Sequence, residues 1–270
     1  MKGLPFIAGQ KADRVGLFGK LFGRQDRDPQ QTSFDHPLAP AEPVCVIGDI
    51  HGCLGLFTDL LDRAEAHADR PRIICVGDYV DRGERSCEVL DLLHERDGKD
   101  GFTCLQGNHE EIMLDFLTDA SGHGRRWLRF GGLQTLASYG IGGVTEQSGG
   151  DAAETAAAAL AEALGPEKIA WLRDMPLLFQ TGTLAVVHAG ADPALPMEEQ
   201  SGSTFKWGHS AFGNTPREDG LWIAHGHTIV DEVVQADGVI SLDTGAYATG
   251  CLSGMVIRPD GTTELIQTGK

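Results

Sequence analysis

The chain has 270 residues, 41% of them hydrophobic and 23% charged, enough to bury one sizeable core, so a single globular domain is the default expectation. A formal net charge of -17 argues against nucleic acid as a partner, because phosphate backbones are bound by clustered Lys and Arg. It leaves a phosphate substrate open, since metal ions supply local positive charge that a residue count misses.

Residues 1–42 read as a disordered tail, because Pro29-Gln30-Gln31-Thr32-Ser33 and the prolines Pro37, Pro40 and Pro43 carry no helical or strand period. Within it, Val15 to Arg24 is apolar with basic punctuation, but its three glycines disfavour an amphipathic anchor helix. The apolar stretch at residues 4–9 contains Pro5 and lacks a cleavage site, so no signal peptide is expected. No run is long enough to span a membrane, and no integral membrane association is expected. The cysteines form no C-x-x-C pair, and Cys45, Cys75 and Cys104 lie inside apolar runs. Buried thiols in a reducing cytoplasm are the expectation.

From about residue 43 a catalytic domain is expected to the end of the chain. Val44-Cys45-Val46-Ile47 is a continuous apolar strand, followed by a helix over 54–66. Arg72 to Val76 is the next strand, and Cys87 to His94 the next helix, with Ser86 as its N-cap. Phe102 to Leu105 is a third strand. Strands alternating with helices predict a parallel sheet. Residues 125–175 read as a helical cover over one side of the site. It includes a capping box at Asp151-Ala152-Ala153-Glu154 that opens an alanine-rich helix ending at Gly165, then a short helix from Pro166. The last third holds short runs at hairpin-like spacing, at 177–179, 184–187, 221–224, 232–234, 239–242, 253–257 and 264–266. These predict a second, largely antiparallel sheet. The expected fold is α/β, a four-layer α/β/β/α sandwich with two mixed β-sheets.

Five turns that follow strands carry the chemistry: Gly48-Asp49-Ile50-His51-Gly52, Gly77-Asp78-Tyr79-Val80-Asp81-Arg82-Gly83, Gly107-Asn108-His109-Glu110, His188-Ala189-Gly190 and Gly226-His227-Thr228. Ligands of open α/β sheets bind at the carboxyl ends of strands. Asp49 and His51 share one side of an extended turn. Taken alone, that pair reads better as a turn cap and a surface histidine. Asp78 and Asp81 add carboxylates that repel unless a cation intervenes. Asn108 offers an amide oxygen, while His188 and His227 offer imidazoles. This mixture suits Zn, Fe and especially Mn.

Together, in order and spacing, the five turns resemble the metallophosphoesterase (calcineurin-like) superfamily, and more narrowly the bacterial and phage-type phosphoprotein phosphatases. The resemblance implies two divalent metal ions, most simply Mn, with Fe or Zn as alternatives. Asp49, His51 and Asp78 would hold one. Asp78 would bridge to the other, held also by Asn108, His188 and His227. It implies a metal-bridging hydroxide as nucleophile, His109 as general acid oriented by Asp81, and Arg82 gripping the phosphate. The implied activity is a phosphomonoesterase on phosphoserine and phosphothreonine, with a phosphorylated protein or peptide as partner. The alternative is a hydrolase of dinucleoside polyphosphates or another small phosphoester. The symmetrical dinucleoside tetraphosphatases resemble Ala and Asp where this chain has Asp81 and Glu110, which favours the protein-phosphatase side.

Two positions depart from the resemblance. His209, in Phe205-Lys206-Trp207-Gly208-His209, stands where a second phosphate-binding Arg is expected. Lys206 or Arg217 could substitute, and His209 itself would make the substrate grip weaker and pH-dependent. Phe130 stands where relatives resemble Asn. His225 is expected to be structural, and Asp243 to support the His227 turn.

Overall fold

The computed structural model describes residues 34–269. The readings made for residues 1–33, the disordered tail and its apolar patch, lie outside the described residues. The end of the expected tail is corrected. Residues 34–42 form no helix or strand, yet they are fixed on the domain. Leu38 is buried among the strands. Ala39 N–H donates to Thr183 Oγ1 at 2.8 Å, and Trp222 Nε1–H donates to the His36 carbonyl at 2.9 Å. Prolines removed the periodic signal there without removing the contacts.

Among the described residues ten strands form two five-stranded sheets. The first is built from β1 (Val44–Ile47), β2 (Arg72–Cys75), β3 (Phe102–Cys104), β9 (Leu252–Ile257) and β10 (Thr263–Thr268). Its order is β10-β9-β1-β2-β3, with β1, β2 and β3 parallel and the other two antiparallel. The second holds β4 (Leu178–Thr181), β5 (Leu184–Val187), β6 (Trp222–His225), β7 (Val234–Ala236) and β8 (Val239–Ser241), in the order β4-β5-β6-β8-β7.

The expectation of a largely antiparallel second sheet is corrected. β5, β6 and β8 run parallel, and only the edge strands β4 and β7 are antiparallel. β9 and β10, counted with that sheet by sequence, pair onto β1 instead. The hairpin signal was genuine for β7–β8 and for β9–β10. Sequence spacing simply does not say which sheet a hairpin joins.

Alternation of side chains along a strand assigns the layers. Val44, Val46, Ile74 and Met255 of one sheet meet Val186, Ala224, Ile240 and Leu242 of the other. Cys45, Ile47, Ile73 and Cys75 face away from them, onto α1 (Leu54–Glu65), α2 (Ser86–Arg96), α3 (Asn108–Thr118) and the helices beyond. Ala185, Val187 and Ile223 pack against Phe205 of α7 (Gly202–Trp207). The order is helix, sheet, sheet, helix. Strands covered on both faces need no polar alternation, which is why β1 and β5 read as unbroken apolar runs. All six cysteines are free thiols.

The cover consists of α4 (Ala120–Trp127), a π-helical turn at Leu128–Gly132, α5 (Leu133–Ser138) and α6 (Asp151–Asp174), broken at Gly165, whose φ is 75°. Two expected caps are absent. Gly150 caps α6 without a side-chain bond, while Glu154 accepts from Ser121 Oγ. Ser86 is the first residue of α2 rather than its cap, and its Oγ accepts the Asp81 N–H at 3.2 Å. Among the described residues no helix is long and apolar enough to cross a membrane.

Candidate metal centre and catalytic site

The carboxyl ends of β1, β2, β3, β5 and β6 all open at one edge of the sandwich, and each releases one motif turn. The turns are sharp. Eight described non-glycine residues have positive φ, and five of them are His51, Asp78, Asp81, Arg82 and His227. Each such residue stores strain of roughly 1–3 kcal/mol, held by its surroundings. Glycine permits the close approach of the turns. A Cβ on Gly226 would lie 1.8 Å from Asp49 Oδ1, and one on Gly107 would lie 2.2 Å from Asp78 Oδ1.

One group gathers on Asp78, Asn108, His188 and His227. His188 Nε2 is 2.8 Å from Asn108 Oδ1 and 3.3 Å from Asp78 Oδ1, and His227 Nδ1 is 2.8 Å from Asn108 Oδ1. His188 Nδ1–H donates to the Val76 carbonyl at 3.2 Å. Its Nε2 therefore presents a lone pair toward other electron-rich atoms. Lone pairs crowded in this way call for a cation among them.

A second group centres on His51, whose Nδ1–H donates to the Val80 carbonyl at 2.7 Å. His51 Nε2 is buried without a hydrogen-bond partner and lies 3.6 Å from Asp78 Oδ2. An orphaned, buried imidazole nitrogen is costly unless a ligand takes it. Geometry places His109 with His51 and Asp78 as a possible metal-holding group, and Asp49 outside it. The chemistry of the nitrogens separates these roles. Both His109 nitrogens are engaged, Nδ1 with Asp81 Oδ2 at 2.6 Å and Nε2 with Arg82 at 3.1 Å, whereas His51 Nε2 is free. Asp49 lies against the same turns, its carboxylate accepting the His227 N–H at 3.0 Å.

The electrostatics favour cations. Burial pushes the Asp49 carboxyl well above its ordinary range, and Asp243 and Asp78 push it further. Burial likewise raises Asp243, to about 6. Asp78 is held low: burial alone would raise it, but His188, His109 and His51 outweigh burial. Burial lowers His51 to about 3 and His188 to about 4, and it lowers His227. Metals need neutral imidazoles, and this site keeps them neutral. The two His/Asp groups fit a metal site.

His109 is driven the other way. Burial disfavours its charge, yet Asp78 and Asp81 together raise it. Asp81 is fully buried. Thr135 Oγ1–H donates to its Oδ1 at 2.7 Å, and Trp127 Nε1–H lies 3.0 Å from both oxygens. The cover thus fixes the residue that fixes His109.

Several contributors were invisible in the motifs. Glu110 accepts the N–H groups of Asp78, Tyr79 and Gly107 at 2.9, 2.7 and 2.9 Å, stitching two turns together. The GNHE pattern flagged Glu110 only as a subclass marker. Thr135 and Trp127 carried no signal, since nothing local links them to Asp81. Expected to support the His227 turn, the Asp243 side chain instead accepts the Gly245 N–H of its own turn at 2.8 Å; only its backbone carbonyl reaches toward the His227 turn, accepting the Val230 N–H at 2.9 Å, and its carboxyl also shares a hydrogen bond with that of Asp49. His225 is structural as expected, its ring held between Ser241 Oγ and the Gly226 carbonyl at 2.8 Å each.

Both proposed stand-ins for the missing Arg are already engaged. Lys206 is paired with Glu111, which also accepts Trp207 Nε1–H at 2.6 Å. Arg217 is buried in a fork with Asp219 and donates to the carbonyls of Asp192 and Leu195 at 2.9 Å each. His209 is exposed and lies 3.7 Å from Asp192. It lines a cavity of about 370 Å³ together with Trp207 and His227, the latter one of the candidate metal ligands. Arg126 lies over the Trp207 ring, 4.6 Å from its centroid, and ties the cover to that wall.

A profile of the calcineurin-like phosphoesterase family matches residues 42–231. A symmetrical bis(5'-nucleosyl)-tetraphosphatase of Nitrosococcus oceani is 33% identical over 152 residues, 56% of this chain and 44% of that protein. Serine/threonine-protein phosphatase 2 of Salmonella typhimurium is 26% identical over 227 residues, 80% of this chain and 93% of that protein. The chain spans less than half the length of several curated relatives it matches. Among solved structures, one described as a candidate diadenosine tetraphosphatase superposes with a TM-score of 0.57 at 20% identity, covering 86% of this chain and 98% of the other. That last likeness bears on the fold alone.

Proposed function

This chain belongs to the calcineurin-like phosphoesterase family, and from that premise we propose that it is a two-metal phosphomonoesterase acting on phosphoserine and phosphothreonine in proteins. The observation that carries this reading is the buried 2.6 Å contact between Asp81 and His109 Nδ1. An alkoxide leaving group is strongly basic and needs a proton as the P–O bond breaks. A phosphoanhydride leaving group is a much weaker base and needs little help. A carboxylate-backed imidazole is therefore suited to a serine or threonine ester.

Asp49, His51 and Asp78 would hold one divalent ion, and Asp78, Asn108, His188 and His227 the other. Manganese suits this mixed ligand set. When bound, the ions would activate a water and neutralise phosphoryl oxygens. The chain's own residues do the rest. Arg82 turns its guanidinium fork onto two phosphate oxygens. A phosphate that draws Arg82 away frees His109 Nε2 to carry the acid proton. His109 then gives that proton to the leaving oxygen, while Asp81 stabilises the imidazolium and holds the ring's orientation.

The second reading, hydrolysis of dinucleoside polyphosphates, draws support from the named activity of the Nitrosococcus oceani relative. The test is a side-by-side measurement of kcat/KM with Mn on a phosphoserine peptide and on diadenosine tetraphosphate. The peptide is expected to be the better substrate. A tenfold or greater preference for the tetraphosphate would overturn the proposal in favour of the second reading.

A further inference from the structure

Six large hydrophobic side chains are exposed among the described residues, and three of them stand at the mouth of the catalytic site. Phe130 is 44% exposed, with its ring edge-on to His109 at a centroid distance of 6.3 Å. Tyr247 is 39% exposed; its ring lies 5.4 Å from that of His51 and 4.8 Å from the Arg82 guanidinium. Ile229 is 47% exposed, two residues beyond His227. It packs over Gly245, where an added Cβ would meet Ile229 Cγ2 at 3.2 Å, and so lies beside the short helix that carries Tyr247. Single exposed hydrophobics are ordinary, but a cluster around a functional mouth marks a recognition surface.

The mounting of Phe130 is rigid. It sits in the π-helical turn, a feature that recurs at functional sites. The Gly131 carbonyl in that turn accepts the Arg82 N–H at 3.4 Å. Gly131 has a φ of 112°, and a Cβ there would lie 2.6 Å from Arg82 N, so the turn is seated directly on the phosphate-gripping loop.

Resting on the phosphoprotein reading above, we propose that Phe130, Ile229 and Tyr247 form an apolar subsite for the side chain next to the phosphorylated residue. The enzyme thereby prefers phosphopeptides with a large apolar neighbour at that position. Distance selects this occupant. Adjacent Cα atoms of a peptide are 3.8 Å apart, so a neighbouring side chain falls within reach of rings that touch His109 and His51. Charge selects it as well. A polyphosphate chain would bring further anions to this same rim, where Phe130 and Ile229 offer no charge to meet them.

The experiment uses the full chain with Mn and two phosphoserine peptides that differ only in the residues flanking the phosphoserine, Phe and Leu in one and Gly in the other. Diadenosine tetraphosphate is the third arm. The wild type is expected to show kcat/KM about tenfold higher on the apolar-flanked peptide, the size of discrimination an apolar pocket provides. In Phe130→Asn and Ile229→Ser the ratio between the two peptides should fall toward one, with the change in KM rather than kcat. Both positions are exposed, and unchanged melting temperatures would exclude a folding defect. Hydrolysis of both peptides at equal rates by the wild type, or an unchanged ratio in both variants, overturns the subsite and leaves the phosphatase reading standing. Loss confined to the tetraphosphate, with little activity on either peptide, overturns both.

Discussion

Replacing Asp81 by Asn probes the acid relay without changing its shape. The carboxylate is fully buried and receives three donors, His109 Nδ1, Thr135 Oγ1 and Trp127 Nε1. In the variant the amide oxygen stays with Thr135 and Trp127, so the amide NH₂ faces His109 Nδ1. That nitrogen must then accept, which holds the ring neutral with its proton on Nε2. A neutral imidazole is a far weaker acid than an imidazolium. The lost charge-assisted bond corresponds to about 1.5–3 kcal/mol, or about one to two pKa units at about 1.36 kcal/mol each. The expected loss in kcat is therefore roughly 10- to 100-fold on serine phosphate esters. His109→Ala, which removes the acid outright, should lose roughly 10²–10⁴-fold. The assay is a series of monoesters from alkyl to nitrophenyl phosphates, with metal content checked on each preparation. The loss should shrink as the leaving group becomes a weaker base. An equal loss across the series, with metals retained, would refute the relay.

Metal binding should stabilise the fold, because Asp49, Asp78 and Asp243 are buried together. Adding Mn at about 100 times its Kd to chelator-treated protein should raise Tm by about 5–10 °C, and no shift in a thermal melt would count against a metal centre. Elemental analysis should find two metals per chain, and His51→Ala should retain close to one. His209→Arg should lower KM, because a guanidinium fork grips phosphate oxygens bidentately; an unchanged KM would mean His209 does not meet substrate. Asp219 has its carboxyl lowered: burial opposes this, but the hydrogen bond from Arg217 prevails. A depressed carboxylate adds stability above its unfolded pKa and loses it as pH falls through the folded one. Asp219→Asn should therefore lower Tm at pH 7, and the difference from wild type should narrow below about pH 4; a constant difference down to pH 3 would contradict the Arg217 fork.

The sequence by itself determined the strands and the chemistry at their ends. Val44–Ile47 and Leu184–Val187 are legible because strands buried on both faces become continuous apolar runs. Asp49, Asp78, Asn108, His188 and His227 are legible because each follows such a run within a few residues, and strand ends are local features. Tertiary structure decided whatever depends on chain segments meeting. It placed β9 and β10 beside β1, made the centre of the second sheet parallel, and fixed residues 34–42 on the domain. It brought Thr135 and Trp127 onto Asp81 from a separate helical block, at separations of 54 and 46 residues. It also gave Lys206 and Arg217 to Glu111 and Asp219, while His209 lines the cavity beside Trp207 and His227. The physical reason is the same in each case. Periodicity and turn chemistry are written along the chain, whereas the partner of a buried polar group is set by packing between distant segments, which no local pattern encodes.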